Sequence, residues 1–301
     1  MPKFERVTLR DPSSAMTTTF VPSAGMIGTS LTDGDEEFLG QRRGLEAYVT
    51  AGKTMGIPIL YPWANRLSAT DYESDGTAVT LTPGEGGVRA DQNGLPIHGV
   101  LAAHPGWEVT AQSENSLIAT LDFGTPELLA SFPFPHVLTQ AVTLADRRLT
   151  IETTVTPTPT ATAAVPLCFG YHPYFTIPGV PRDQWRLTTP TMRHLFVDSR
   201  GIPTGEHEQW NGGVELLASM TYDDGFDDVP DGAVFALAGG ERRIDVVFET
   251  DYPAAQLFAP GTDDLVAIEP MTAPTDALRS GGYRSAAPGV PATARFSVTV
   301  T

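Results

Sequence analysis

A single cysteine, Cys168, stands in 301 residues, so the chain can form neither an internal disulfide nor a cysteine-rich zinc site. It lies in the apolar run Val165-Pro166-Leu167-Cys168-Phe169, where a thiol serves as a small buried hydrophobe rather than a nucleophile. Charge is also sparse, at 18% of residues against 41% hydrophobic, the balance of a globular chain and not of a disordered one. Positive charge is the scarcer sign. With 19 Lys+Arg against 36 Asp+Glu, the formal net charge is -17, and no basic stripe offsets it. Neither nucleic acid nor an anionic membrane surface is expected as a partner. No hydrophobic run approaches the length that spans a bilayer, and the opening Met1-Pro2-Lys3-Phe4-Glu5 has no apolar segment of the secretory kind; the expectation is a cytoplasmic protein. The chain also lacks a glycine-rich phosphate loop after a strand, a serine nucleophile elbow and a nicotinamide fingerprint. No cofactor is expected.

Sustained helical periodicity is missing, and turn residues fill its place: 29 Gly and 26 Pro suit many short strands joined by turns. Period-two alternation recurs. Leu149, Ile151, Thr153 and Val155 point one way with Thr150, Glu152 and Thr154 between them, and Phe296, Val298 and Val300 repeat the pattern. Residues 137–144, a turn at 145–148 and residues 149–155 read as a hairpin, as do 234–237, a turn at 238–241 and 244–248. Residues 117–123 and 256–259 are further strands, and 126–131 form one short helical turn. The Pro/Thr-rich stretch 156–163 resembles a linker, but strands flank it closely, so it reads as a connection within one sheet assembly. The expected fold is all-β, a large antiparallel β-sandwich in one domain over residues 1–301.

Polar groups recur in settings that hold a side chain firmly. In Ile268-Glu269-Pro270-Met271-Thr272 a carboxylate follows the apolar strand 265–268, and the proline is expected to end the strand. Apolar neighbours partly desolvate such a carboxylate and raise its pKa toward the range of proton transfer; the alternative is an edge-strand ion pair. Phe169-Gly170-Tyr171-His172-Pro173-Tyr174-Phe175 sets a histidine among aromatics that exclude water, so its proton affinity responds to one neighbouring charge. Tyr61-Pro62-Trp63-Ala64-Asn65-Arg66-Leu67 offers an indole to stack on a sugar face and an amide and guanidinium to bind hydroxyls, or a structural arginine capping loop carbonyls. Pro96-Ile97-His98-Gly99 pairs a histidine with a glycine that permits close approach. Tyr222-Asp223-Asp224-Gly225-Phe226-Asp227-Asp228 is an acidic loop with at most one aspartate turned inward. His98, His172, Asp223 and Glu269 could together ligate a metal, but none of them shows the close spacing of a compact metal site, and no metal is expected.

In this order, Pro62-Trp63-Ala64-Asn65-Arg66, His98-Gly99, His172-Pro173-Tyr174-Phe175 and Glu269-Pro270-Met271-Thr272, continued by Asp276-Ala277-Leu278 and Ser280-Gly281, resemble the aldose 1-epimerase (galactose mutarotase) family. The resemblance implies the β-supersandwich, with a sugar in a cleft on one face. It implies Glu269 as general base, His172 as general acid, and Arg66, His98 and an aspartate as sugar ligands. Asp223 fits the aspartate's Asp-x-x-Phe register best, with Asp224 and Asp227 as rivals; Asn65 and Trp63 join them as candidate sugar contacts. Mutarotation needs one base and one acid of near-matched pKa on opposite sides of the acetal carbon, so His172 and Glu269 are expected to lie across a cleft with Arg66 and His98 on its floor or wall, out of direct contact even without a ligand. A hexose-6-phosphate epimerase would need further cations, for which Arg42, Arg43, Arg89, Arg182 and Arg279 are candidates; the acid excess favours a neutral sugar. A non-catalytic carbohydrate-binding protein would need no matched acid and base, and a glycoside hydrolase would need a second working carboxylate. The expected partner is a small-molecule sugar, and the chain a monomer or homodimer.

Overall fold

The computed structural model describes residues 4–301; the opening residues 1–3 lie outside it. Two antiparallel sheets dominate. The larger has nine strands, in the order Glu108–Gln112, Ser116–Asp122, His136–Ala145, Arg148–Pro157, Ala292–Val300, Arg242–Thr250, Ala233–Gly239, Arg186–Thr189 and Gly213–Leu216. The second has eight. Its order is Pro203–Trp210, Met192–Val197, Tyr222–Asp227, Ala254–Ala259, Val266–Met271, Gly170–Tyr171 and Ile59–Leu60, with Tyr174–Phe175 also paired to Val266–Met271. A four-stranded sheet of residues 7–37 adds to them.

Strand alternation builds the core between the sheets. Leu138, Val142, Leu149, Ile151, Phe296 and Val298 from the nine-stranded sheet share one hydrophobic cluster with Phe226, Leu257, Val266, Ile268 and Tyr171 from the eight-stranded one. In the eight-stranded sheet every second residue therefore points to the opposite face, and that face carries the site.

The first hairpin is tighter than the sequence suggests. Its strands run to Ala145 and from Arg148, and Asp146 and Arg147 have φ of 52° and 62°. Two positive φ values make a two-residue turn whose twist matches the flanking strands. The second hairpin likewise closes between Gly239 and Arg242. The Pro/Thr-rich stretch leads from the nine-stranded sheet into the strand Val165–Leu167, which pairs with Arg284–Ala286.

Two expectations need correction. The strand at Glu269 does not end there: it spans Val266–Met271, with Ala255 opposite Pro270 and Gly170 opposite Met271. Proline removes one N–H but keeps an extended-compatible φ, so one rung is lost and not the strand. An eight-residue helix, Gly44–Ala51, went unread in the sequence. Only its Tyr48 is fully buried, so it shows no apolar stripe wide enough to mark a helix. No helix among the described residues is long and apolar enough to cross a membrane.

Candidate active site

Pairing register places Glu269. Gly225 lies opposite Gln256, and Gln256 opposite Glu269, so these three share the face turned away from Leu257 and Ile268. Apolar groups flank the row on both sides: Leu60, Ala64, Ala254 and Met271 form one small cluster, and Tyr174, Leu265 and Ala267 another, with Phe258 against it. Glu269 is 1% exposed. Burial pushes its carboxyl well above the usual carboxylate range; Asp223 pushes the same way and Arg66 pulls back.

His172 sits in the two-residue break between Gly170–Tyr171 and Tyr174–Phe175. Its backbone N–H donates to Pro58 O at 3.1 Å, its ring stacks on Tyr174 with centroids 4.3 Å apart, and His98 approaches edge-on at 5.6 Å. Burial pushes its pKa well below the imidazole range, with His98 and Arg42 adding to the effect. The expectation that acid and base stay apart is overturned: Nε2 lies 3.1 Å from Glu269 Oε1. Both side chains are buried, and the contact brings the two titratable groups side by side. Burial favours the uncharged form of each.

The Arg66 segment is held by bridges from Tyr61 to Gly99 and from Arg66 to Ile97. Gly99 has φ of 64°, and a Cβ there would stand 2.0 Å from Tyr61 O, which explains why a glycine follows His98. The His98 N–H donates to Asn65 O at 2.9 Å. Burial, then Arg66 and Arg89, lower the His98 pKa to about 3. Arg66 donates through Nε to Asp91 Oδ2 at 2.9 Å and through Nη1 to Asn65 Oδ1 at 3.1 Å. Asn65 thus orients Arg66. Asp276 holds the same segment, donating its N–H to Arg66 O and accepting from the Ser68 N–H.

Trp63 requires a correction. It is 1% exposed and part of the hydrophobic core, so its indole offers no open face to a sugar. Its neighbours Tyr61 and Phe169 are core residues too; the segment's aromatic content marked packing, not stacking.

The acidic stretch expected as a loop is the strand Tyr222–Asp227; parity separates Asp223 from Asp224, and side-chain partners separate Asp223 from Asp227. Asp223 shares the face of Gly225 and accepts from Gln256 Nε2 at 2.9 Å. Asp224 points the other way, to His194 Nε2 at 3.1 Å. Asp227 is bound by Arg193 at 2.6 and 2.7 Å. Gln256 is a site residue that sequence reading missed, although an amide inside Ala-Ala-Gln-Leu-Phe-Ala was a signal.

Arg66, Asp223 and Gln256 line an open cavity of about 730 Å³ together with Gln92, Arg200 and Thr275. His98 lines a second cavity with Thr54, Arg89 and Lys53. Glu269 and His172 line neither cavity, and Glu269 Oε2, His172 Nδ1 and His98 Nδ1 are among the buried atoms with no hydrogen-bond partner. Of the arginines that could meet a phosphate, Arg182 donates to Ala218 O and Met220 O, and Arg279 to Asp71 O and Ser68, both committed to backbone or loop. Arg42 reaches Tyr174 and Asp263, and Arg89 donates to Gly52 O over the Tyr48 ring. Among the described residues, no three His, Cys, Asp or Glu side chains gather as a metal site would require.

A β-sandwich that carries a carboxyl, an imidazole and a guanidinium together on the outer face of one sheet has the parts of an acid–base enzyme for a small polar substrate. The aldose 1-epimerase family model matches residues 5–297, and the chain belongs to this family of carbohydrate epimerases. Solved structures share the fold at low identity. A galactose mutarotase-like protein from Clostridium acetobutylicum is 17% identical with a TM-score of 0.82, covering 100% of this chain and 99% of its own. A protein from Synechocystis sp. PCC 6803 is 23% identical with a TM-score of 0.81, covering 99% and 96%. A putative aldose 1-epimerase from Escherichia coli K12 is 18% identical with a TM-score of 0.77, covering 99% of each. No curated protein matches the chain.

Proposed function

We propose that the protein interconverts the α and β anomers of a free aldose by acid–base ring opening and closure, with Glu269 and His172 as the proton-transferring pair. The observation that carries the reading is their 3.1 Å contact beside unpartnered Glu269 Oε2 and His172 Nδ1. These are free valences on groups whose burial would be costly without a ligand to meet them.

The pair holds one mobile proton. Moved across the contact, it leaves a carboxylate and an imidazolium, the form that starts the reaction. Arg66, which pulls the Glu269 pKa down, favours this form. The carboxylate takes the proton of the anomeric hydroxyl while the imidazolium protonates the ring oxygen. The bond from the anomeric carbon to the ring oxygen breaks, and the anomeric carbon becomes an aldehyde. Rotation about one C–C bond turns the aldehyde's other face to the returning hydroxyl. The protons then move back, and the pair ends with the proton count it began with. Arg66, His98, Asp223 and Gln256 supply donors and acceptors for the remaining hydroxyls and hold the open chain in line for closure.

Polarimetry on freshly dissolved α-anomers of glucose, galactose and other aldoses tests the reading. The protein should speed the approach to equilibrium rotation for at least one of them, and equally after dialysis against a chelator. No acceleration for any aldose would reject it.

A further inference from the structure

Tyr174 belongs to the aromatic motif but has no part in the chemistry above. Its hydroxyl is in contact with three polar groups: His172 Nε2 at 3.1 Å, Thr54 Oγ1 at 2.6 Å and Arg42 Nη1 at 3.1 Å. The residue is 1% exposed, its ring stacks on the imidazole, and Arg42 lies 5.1 Å above its centroid.

Counting donors orders this cluster. A phenol oxygen has one proton to give and two lone pairs. Arg42 can only donate, so it takes one lone pair. If Thr54 donates into the second, the phenol proton must go to His172 Nε2. That fixes the neutral imidazole with its own proton on Nδ1. When His172 instead carries a proton on Nε2, the Tyr174–Thr54 contact can reverse: Tyr174 accepts from Nε2 and donates to Thr54. The guanidinium beside it weighs against the charged imidazole, and Arg42 is among the groups that lower the His172 pKa.

Given the acid–base reading of Glu269 and His172, we propose that Tyr174, with Arg42 and Thr54 behind it, is a positioning relay that follows the proton on His172. Nε2 faces two rival partners, Glu269 Oε1 and the Tyr174 hydroxyl, both at 3.1 Å. When a sugar hydroxyl engages Glu269, Tyr174 remains to hold the ring. The other groups facing His172 are His98 from the Arg66 side and the uncharged Phe258 edge. Behind them, Asp223 and Arg66 act on Glu269, and Arg89 on His98; none of these three reaches the Tyr174 hydroxyl.

The test is a pH titration of the full chain by imidazole ¹⁵N NMR, with His172 assigned by its loss in His172→Asn. Tyr174→Phe, Arg42→Met and Thr54→Val are compared with wild type. Wild-type His172 should be neutral near pH 7 with its proton on Nδ1. In Tyr174→Phe, which keeps the ring, the proton should shift toward Nε2. In Arg42→Met the titration midpoint should rise by about half a unit or more, because a nearby cation has been removed. Where turnover is measurable, kcat should fall about tenfold in Tyr174→Phe with KM within about twofold, as for a group that acts through the acid and not on the sugar. A wild-type ring with its proton on Nε2, or nitrogen shifts and midpoints unchanged in the variants, would overturn the relay. Should Tyr174→Phe fail to fold, the midpoint in Arg42→Met and the nitrogen shifts in Thr54→Val still decide for or against it. The NMR outcome does not depend on turnover, so polarimetry alone judges the acid–base reading.

Discussion

Glu269 and the buried histidines oppose each other in their pH dependence. Glu269 has a folded pKa raised well above its reference value of 4.5. Above that pH the unfolded chain releases a proton that the folded chain retains, so this group removes stability as pH rises. Glu269→Gln should therefore melt at a higher temperature than wild type at pH 8, with the gain shrinking toward pH 4.5; a variant less stable at pH 8 would mean that the carboxyl is not held neutral. The histidines act in the other direction. His98 is lowered to about 3 and His136 to about 4, and His172 well below 6.5. Their contribution is complete above 6.5 and is lost as pH falls from there toward 4, because the unfolded chain gains protons that the folded chain refuses. Urea midpoints measured across this range should drop toward the acid side, and a flat profile from pH 6.5 to 4 would contradict the neutral buried rings.

Strands and turns explain both what could be read in the sequence and what could not. The hairpins, the helix at 126–131 and the sandwich class follow from alternation and turn residues, which are local. Glu269 and His172 stood out because proline and aromatics surround them within a few positions. Their contact did not, because it depends on which strand lies beside Val266–Met271, and pairing register is not local. Gln256 escaped for the same reason, and so did Arg42, which is 132 residues from Tyr174 in the chain. Trp63 misled because an aromatic beside an arginine looks the same in sequence whether its ring faces a cleft or the core. The Tyr61–Gly99 bridge gives a test at this scale. Gly99→Ala would place a methyl 2.0 Å from Tyr61 O at φ of 64°, so the bridge must open. The expected loss is ~3 kcal/mol of unfolding free energy with a raised KM, since His98 moves with the loop. A variant with wild-type stability and KM would show that the bridge does not position His98.

At the scale of the whole molecule, a net charge of -17 repels a dianion on approach, and salt screens that repulsion. Arg182 and Arg279 are committed elsewhere, and Arg42 and Arg89 already have partners. Glucose should thus show a higher kcat/KM than glucose 6-phosphate, with the gap narrowing from low to moderate ionic strength. A preference for the phosphate under both conditions would reassign the substrate class and point to Arg42, the exposed Arg43 and Arg89 as its ligands.

The central claim is that Glu269 and His172 exchange protons with the sugar. Its most direct measurement is the anomerisation rate of the preferred aldose with wild type and with Glu269→Gln, alongside sugar affinity by calorimetry. The amide keeps the shape of the carboxyl but cannot take a proton, so kcat should fall by about a hundredfold or more while affinity stays within a few-fold. A variant that binds sugar and retains more than about a tenth of the wild-type kcat would show that Glu269 is not the base.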